Sequence, residues 1–194
     1  RPIRSAERFD YAPEDIGYFA EQLRAIDADV VCLQETHLNK DRSVAKEIAV
    51  LLGYHIHEAE MSPSHVDAAY SLGNAILYKE VPKSLHNFLF PYPFFKLLLP
   101  GGRVAARHNK GFQIAEFSFG MVVNMQMLPL GFLGTPYDSP DGLLFSEEME
   151  RTLLSEVRSP SILCGDFNFR EPKTQYAKLL ANSVNALPDV PTRP

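Results

Sequence analysis

Positive charge, cysteine and long apolar runs are all scarce in this 194-residue chain, and each shortage narrows the possibilities. Lys and Arg number 19 against 24 Asp and Glu, for a formal net charge of -5. No overall basic field advertises nucleic acid, although a local basic patch stays open. The two cysteines, Cys32 and Cys164, both sit in apolar strand-like runs, where a thiol behaves as a small core residue. That argues against a disulfide scaffold and points to a reducing compartment, hence a cytoplasmic location. No apolar run reaches membrane-spanning length: the longest candidate, Phe88 to Leu99, is broken by Pro91, Pro93 and Lys96. No signal peptide, internal repeat or low-complexity tract is visible.

What is present is globular content, 45% hydrophobic and 22% charged, enough for one substantial core. The expectation is a single domain over residues 1–194, and a monomer. The chain begins on Arg1 and stops on Pro194 after a turn-like "LPDVPTRP", so it reads as a fragment, incomplete at both ends.

Periodicity supplies the elements. Pro13 suits a first helical position, and Ile16, Phe19, Ala20, Leu23 and Ile26 then fall on one helix face, with Asp27 to Asp29 closing it. Val30 to Leu33 reads as a strand covered on both faces that ends on Gln34-Glu35. A second helix starts near Ser43, turns Val44, Ile48, Leu51 and Leu52 inward, and stops at Gly53. Strands are predicted at Tyr54–Ala59, Ala75–Tyr78, Gly111–Phe119 and Met121–Met127, with a hairpin turn at Phe119-Gly120-Met121. A helix over Ser146–Val157, the strand "SILCGDFNF" and a last helix from Pro172 to Asn182 follow. Val81 to Gly102 reads as a long irregular excursion. The order predicts a layered fold with helices outside and sheets within.

Two strands that end in carboxylates, Glu35 and Asp166, would bring those groups to one rim if they lie side by side or face to face. A hard cation such as Mg²⁺ or Mn²⁺ needs only one or two protein carboxylates, with water and substrate phosphate completing its shell. The plainer reading of Glu35 is an exposed strand-end acid, and on the ligand reading too Glu35→Gln is expected to cost the fold little, since a strand-end acid carries little packing. For Asp166 and Asn168 it is an Asx-type turn after the strand. Both pairs of readings remain open from spacing alone.

Four stretches in order, "DVVCLQETH", "LGNAILY", "VVNMQMLP" and "ILCGDFNF", resemble the endonuclease/exonuclease/phosphatase superfamily, which includes deoxyribonuclease I, AP endonucleases, sphingomyelinases and inositol polyphosphate 5-phosphatases. The resemblance implies a four-layered α/β/β/α sandwich of the deoxyribonuclease I type, with the active site at the rim where both sheets end. It implies a divalent-metal-dependent phosphoric ester hydrolase, a phosphodiesterase or nuclease. By the same resemblance Glu35 binds the metal, Asp166 orients or deprotonates the attacking water, and Asn168 holds the scissile phosphate. Gln126 falls where sphingomyelinase-like and deoxyribonuclease-like members carry His and AP endonucleases carry Tyr. Glutamine donates a hydrogen bond but delivers no proton. The family's opening Asn-bearing strand and closing Ser-Asp-His segment are expected to lie beyond residues 1 and 194. The six histidines, His37, His55, His57, His65, His86 and His108, read as solvated or hydrogen-bonded loop residues.

Around this site, Asn74 is either a further polar contact or part of a turn before its strand. Arg103, Arg107, His108 and Lys110 are either phosphate contacts or a solvated loop. "FLFPYPFFKLLLP" is either an exposed interaction patch or a buried lid. Three functions follow: hydrolysis of a nucleic-acid phosphodiester, hydrolysis of a lipid or inositol phosphate head group, and phosphate or nucleic-acid binding without catalysis, Gln126 marking the lost chemistry.

Overall fold

The computed structural model describes residues 13–65, 67–91, 97–98, 104–105, 109–131, 134–169, 172–184 and 186. Helix α1 (Pro13–Ile26) and strand β1 (Val30–Leu38) are followed by α2 (Val44–Leu52), β2 (His55–Pro63) and β3 (Ser71–Tyr78). Then come β4 (Ser84–Leu89), a two-residue pair β5 (Leu97–Leu98) and β6 (Val104–Ala105), and the hairpin β7 (Gly111–Phe117) and β8 (Gly120–Gln126). Helix α3 (Pro140–Glu156), strand β9 (Ser161–Asp166) and two short helices, α4 (Pro172–Gln175) and α5 (Ala177–Leu180), complete the order.

Strand alternation sorts these elements into layers. One sheet runs β1-β3-β2, all antiparallel; the other runs β4-β7-β8-β9, with β9 parallel to β8 and α3 as the crossover. Ala75 and Leu77 turn outward to meet Ile16 of α1 and Val44, Ala45, Ile48 and Ala49 of α2. On the opposite outside, Phe112, Ile114, Val123 and Met125 meet Met149 and Leu153 of α3 and Leu180 of α5. The alternate residues Ile76, Tyr78, Ala115, Phe117 and Val122 face each other between the sheets. The result is two sheets flanked by helices, the layering that the order of elements predicts and the α/β/β/α arrangement that the family resemblance implies.

Cys32 and Cys164 pack against that middle layer as free thiols. Their mutual hydrogen bond and burial hold the Cys32 thiol above its usual range.

Several boundaries differ from those read in the sequence. Helix α3 starts at Pro140, capped by Ser139, whose Oγ accepts from Gly142 N at 3.1 Å; that is six residues before Ser146, because Gly142 packs against Pro136 where no side chain fits. The excursion from Val81 contains β4, an edge strand whose side chains show no clean alternation of burial, which hid it from periodicity. Phe90 of the aromatic run is buried in the core beside Phe112, while Leu89 is exposed; residues 92–96 lie outside the described set. On α1 and α2, Ile26 and Leu51 face out, and Ala45 and Ala49 occupy the buried stripe. Strand β9, apolar along its length in the sequence, is half exposed. The terminal helix is two short pieces broken at Tyr176, whose ring is buried in the core.

Gly165, in the strand that carries Asp166, has φ +145, and a Cβ there would lie 1.8 Å from Met125 O on the neighbouring strand. Gly165→Ala is therefore expected to destabilise the fold by at least about 3 kcal/mol. Gly17→Ala, on α1 with nothing within 4 Å of the added carbon, should be neutral or stabilising by up to about 1 kcal/mol. Urea unfolding of both variants checks the contrast; equal effects would remove the backbone argument.

Candidate active site

The rim where both sheets end is built by pairing and parity. Val122, Asn124 and Gln126 share the inward face of β8, and Gln126 is the register partner of Asp166 at the end of β9. On the facing sheet, β1 keeps register with β3 as far as Leu33↔Ala75 and resumes at Thr36↔Gly73, so a bulge places Gln34 and Glu35 opposite Asn74. The bulge resets the alternation: Cys32 faces the middle layer, whereas Thr36 hydrogen-bonds outward to Glu58 at 3.4 Å. Glu35, at the reset, adopts φ +56 and stays half exposed.

Lys110, just ahead of β7, supplies the charge beneath this rim. Its side chain is 1% exposed, and Nζ donates to Glu35 Oε1 at 2.9 Å and to Gln126 Oε1 at 2.8 Å. Gln126 Nε2 closes the triangle by donating to the same Glu35 Oε1 at 2.9 Å. A carboxamide suits this corner because it accepts from an ammonium and donates to a carboxylate at once, without adding charge. Glu35 Oε2 carries no hydrogen bond among the described residues.

The electrostatics follow from burial. Burial works against the Glu35 carboxylate, yet the Lys110 charge and the hydrogen bonds from Lys110 and Gln126 outweigh it and hold its pKa below the usual range. Burial pushes Lys110 below its usual range, opposed by Glu35 and more distantly by Asp166. One buried ammonium therefore senses a carboxylate from each sheet.

The turn after β9 is the Asx turn that the residue types allowed: Asn168 N donates to Asp166 Oδ1 at 2.9 Å, with Asn168 at φ +52. Its Nδ2 donates to Met127 O at 2.7 Å, and Met127 N donates to Asp166 O at 2.9 Å. Tyr137 hydroxyl donates to Asn168 O, a contact from a loop that no sequence signal marked. Asp166 and Asn168 are half buried at the surface of the rim.

Asn74 lies opposite the bulge, fully buried, its Nδ2 3.5 Å from Gly111 O and its Oδ1 without a partner among the described residues. Arg107, with Arg103 and His108, lies outside the described residues. Two histidines read as loop residues belong to this neighbourhood. His37 is buried in β1, its ring stacked on Tyr70 at 5.5 Å. His65, in the β2–β3 loop, feels Glu35, Lys110 and His37, and burial lowers its pKa.

No group of three or more His, Cys, Asp or Glu side chains converges among the described residues. The donor set still fits a hard cation of the Mg²⁺ type, which takes one or two carboxylates and keeps its waters. Glu35 Oε2 and the nearby Asp166 are the oxygens that qualify.

The model of the Endonuclease/Exonuclease/phosphatase family matches residues 6–193. The chain belongs to that family. Solved structures agree on the fold: an endonuclease/exonuclease/phosphatase family protein from Leptotrichia buccalis superposes with a TM-score of 0.58 at 15% identity, covering 87% of this chain and 66% of that one. The 3' phosphatase NExo from Neisseria, bound to product DNA hairpin, gives 0.54 at 18% identity, with 87% and 66% covered. The human Nocturnin catalytic domain with bound sulfate gives 0.51 at 17% identity, with 88% and 62% covered. The chain thus spans slightly under two thirds of these proteins. No curated protein matches the sequence.

Lys110 reverses the expectation for Glu35 as a mere strand-end acid. Glu35→Gln removes the full charge that, among the described residues, is bonded to a buried ammonium, and should cost about 2 kcal/mol, discounted from the fully buried case because Glu35 is half exposed. Lys110→Met, which removes the buried charge and leaves a hydrated carboxylate, should be within about 1 kcal/mol of the parent. Because the Glu35 pKa is lowered in the folded state, its contribution is complete above the unfolded value near 4.5 and is lost as pH falls through the folded value. Urea melts of parent and Glu35→Gln should therefore differ at pH 7 and converge in more acid solution. A gap that persists below that range would show that shape, not charge, carries the effect.

Proposed function

We propose that this chain is the catalytic part of a phosphoric ester hydrolase that uses Mg²⁺ or Mn²⁺ and acts on a phosphate carried by nucleic acid or a nucleotide. The observation that carries this reading is the approach of Glu35 and Asp166, one from each sheet, to a single rim above the Lys110 ammonium. A phosphate ester repels an anionic nucleophile, and such a rim relieves that repulsion.

Lys110 and Gln126 fix Oε1 of Glu35, so Oε2 would hold the cation, which would supply positive charge against the non-bridging phosphate oxygens and acidify a water. Asp166 accepts the proton of the attacking water. Asn168, one of whose amide hydrogens is committed to Met127 O, turns the other to a phosphate oxygen. Lys110 acts on the phosphate through Glu35 and its own buried charge, and Asn74 lies beside it, opposite the bulge. The nucleic-acid preference rests on a family neighbour described as a 3' phosphatase bound to a DNA hairpin.

Gln126 favours a second reading, a family member that binds phosphate without turning it over, because a buried glutamine bonded at both ends supplies no proton.

The test uses the full-length protein with a 3'-phosphorylated DNA hairpin, and a lipid phosphodiester as the competing substrate. Hydrolysis should require Mg²⁺ or Mn²⁺ and stop in EDTA. Asp166→Asn should lower kcat by at least about 100-fold with KM little changed, since it removes a proton acceptor and keeps the shape. Asn168→Ala should weaken both. Turnover unaffected by Asp166→Asn would remove Asp166 as the proton acceptor, no hydrolysis of either substrate with any metal would sink the hydrolytic assignment, and metal-dependent DNA binding with no turnover would support the second reading.

A further inference from the structure

We propose that Asn124 is a positioning residue for Glu35: it holds open the bulge of β1 that presents this carboxylate at the rim. The inference rests on the reading of Glu35 as the cation ligand. Leu33 and Ala75 are the last regular pair before the bulge, and both of their carbonyls turn to the same donor. Asn124 Nδ2 lies 3.0 Å from Leu33 O and 3.0 Å from Ala75 O. Its Oδ1 accepts from Gln34 Nε2, the first residue of the bulge, at 2.6 Å.

One fully buried side chain on β8 thus grips both strands at the edge where an irregularity in the opposite sheet begins. Asn124 is itself held in place, since Nδ2 also reaches Gln113 Oε1 at 3.1 Å, and Gln113 Nε2 donates to Asn87 Oδ1 at 3.1 Å. A bulge leaves backbone groups unpaired, and buried ones cost about 1–3 kcal/mol each unless another donor takes them. Asn124 is that donor. Glu35, at φ +56, holds a left-handed backbone that costs about 1–3 kcal/mol and that a glutamate leaves once the bulge relaxes. Lys110 and Gln126 fix the head of Glu35, and Asn124 fixes the backbone from which it springs.

The experiment measures binding of Mn²⁺ to the full-length protein by the loss of the free-ion electron paramagnetic resonance signal, together with amide hydrogen exchange of residues 33–37. Asn124→Ala should raise the Mn²⁺ Kd at least tenfold and speed exchange in residues 33–37 while leaving α3 unchanged. On a Glu35→Gln background the same substitution should add little, because the ligand it positions is already lost. If Asn124→Ala fails to fold, Gln34→Ala, which removes only the 2.6 Å contact, should weaken Mn²⁺ binding about threefold in the same direction. Parent-like Mn²⁺ binding and exchange in Asn124→Ala, with Glu35→Gln defective, would overturn the role of Asn124 alone. Parent-like Mn²⁺ binding in Glu35→Gln would overturn the cation reading itself.

Discussion

A lysine that is 1% exposed must find its counter-charge inside the protein, and Lys110 finds it by drawing on both sheets. Glu35 reaches in from the first sheet and Gln126 from the second, so the triangle they form also pins the two sheets together where they open to solvent. A pair of this kind contributes little net stability, because desolvating the ammonium offsets most of the attraction. Its effect is on geometry: one oxygen of Glu35 is committed and the other carries no hydrogen bond among the described residues.

The rim is also where local preference yields. Glu35 and Asn168 both occupy the left-handed region, and Gly165 has a backbone that no side chain tolerates. Such residues cost about 1–3 kcal/mol each and persist only where surroundings over-determine them. Here the surroundings are specific: the Asx turn and Met127 O for Asn168, and the Lys110–Gln126 clamp for Glu35. Away from the rim the layers are regular, with outward residues under helices and inward residues packed face to face.

Much of this was legible in the sequence. Alternating and continuous apolar runs located most strands and the two N-terminal helices, and four short motifs in order identified the family. Asp166 and Asn168 were read as site residues and, in the plainer alternative, as an Asx turn; they form that turn at the rim. What escaped has physical causes. Strand β4 lies at an edge and lacks a clean period, so nothing distinguished it from a loop. The Lys110 side chain belongs to a basic run that reads as phosphate contacts or a solvated loop, and its burial depends on partners 75 and 16 residues distant. His37 was hidden likewise, because the bulge shifts the parity by which its face would be judged.

Anomalous scattering from crystals of the full-length protein grown with Mn²⁺ decides whether the rim holds one hard cation on the uncommitted oxygen of Glu35, beside a lysine that remains in place. A single peak is expected at Glu35 Oε2, with Lys110 Nζ still bonded to Oε1. A rim without Mn²⁺, or a metal that displaces Lys110 from Glu35, would overturn the cation reading of Glu35.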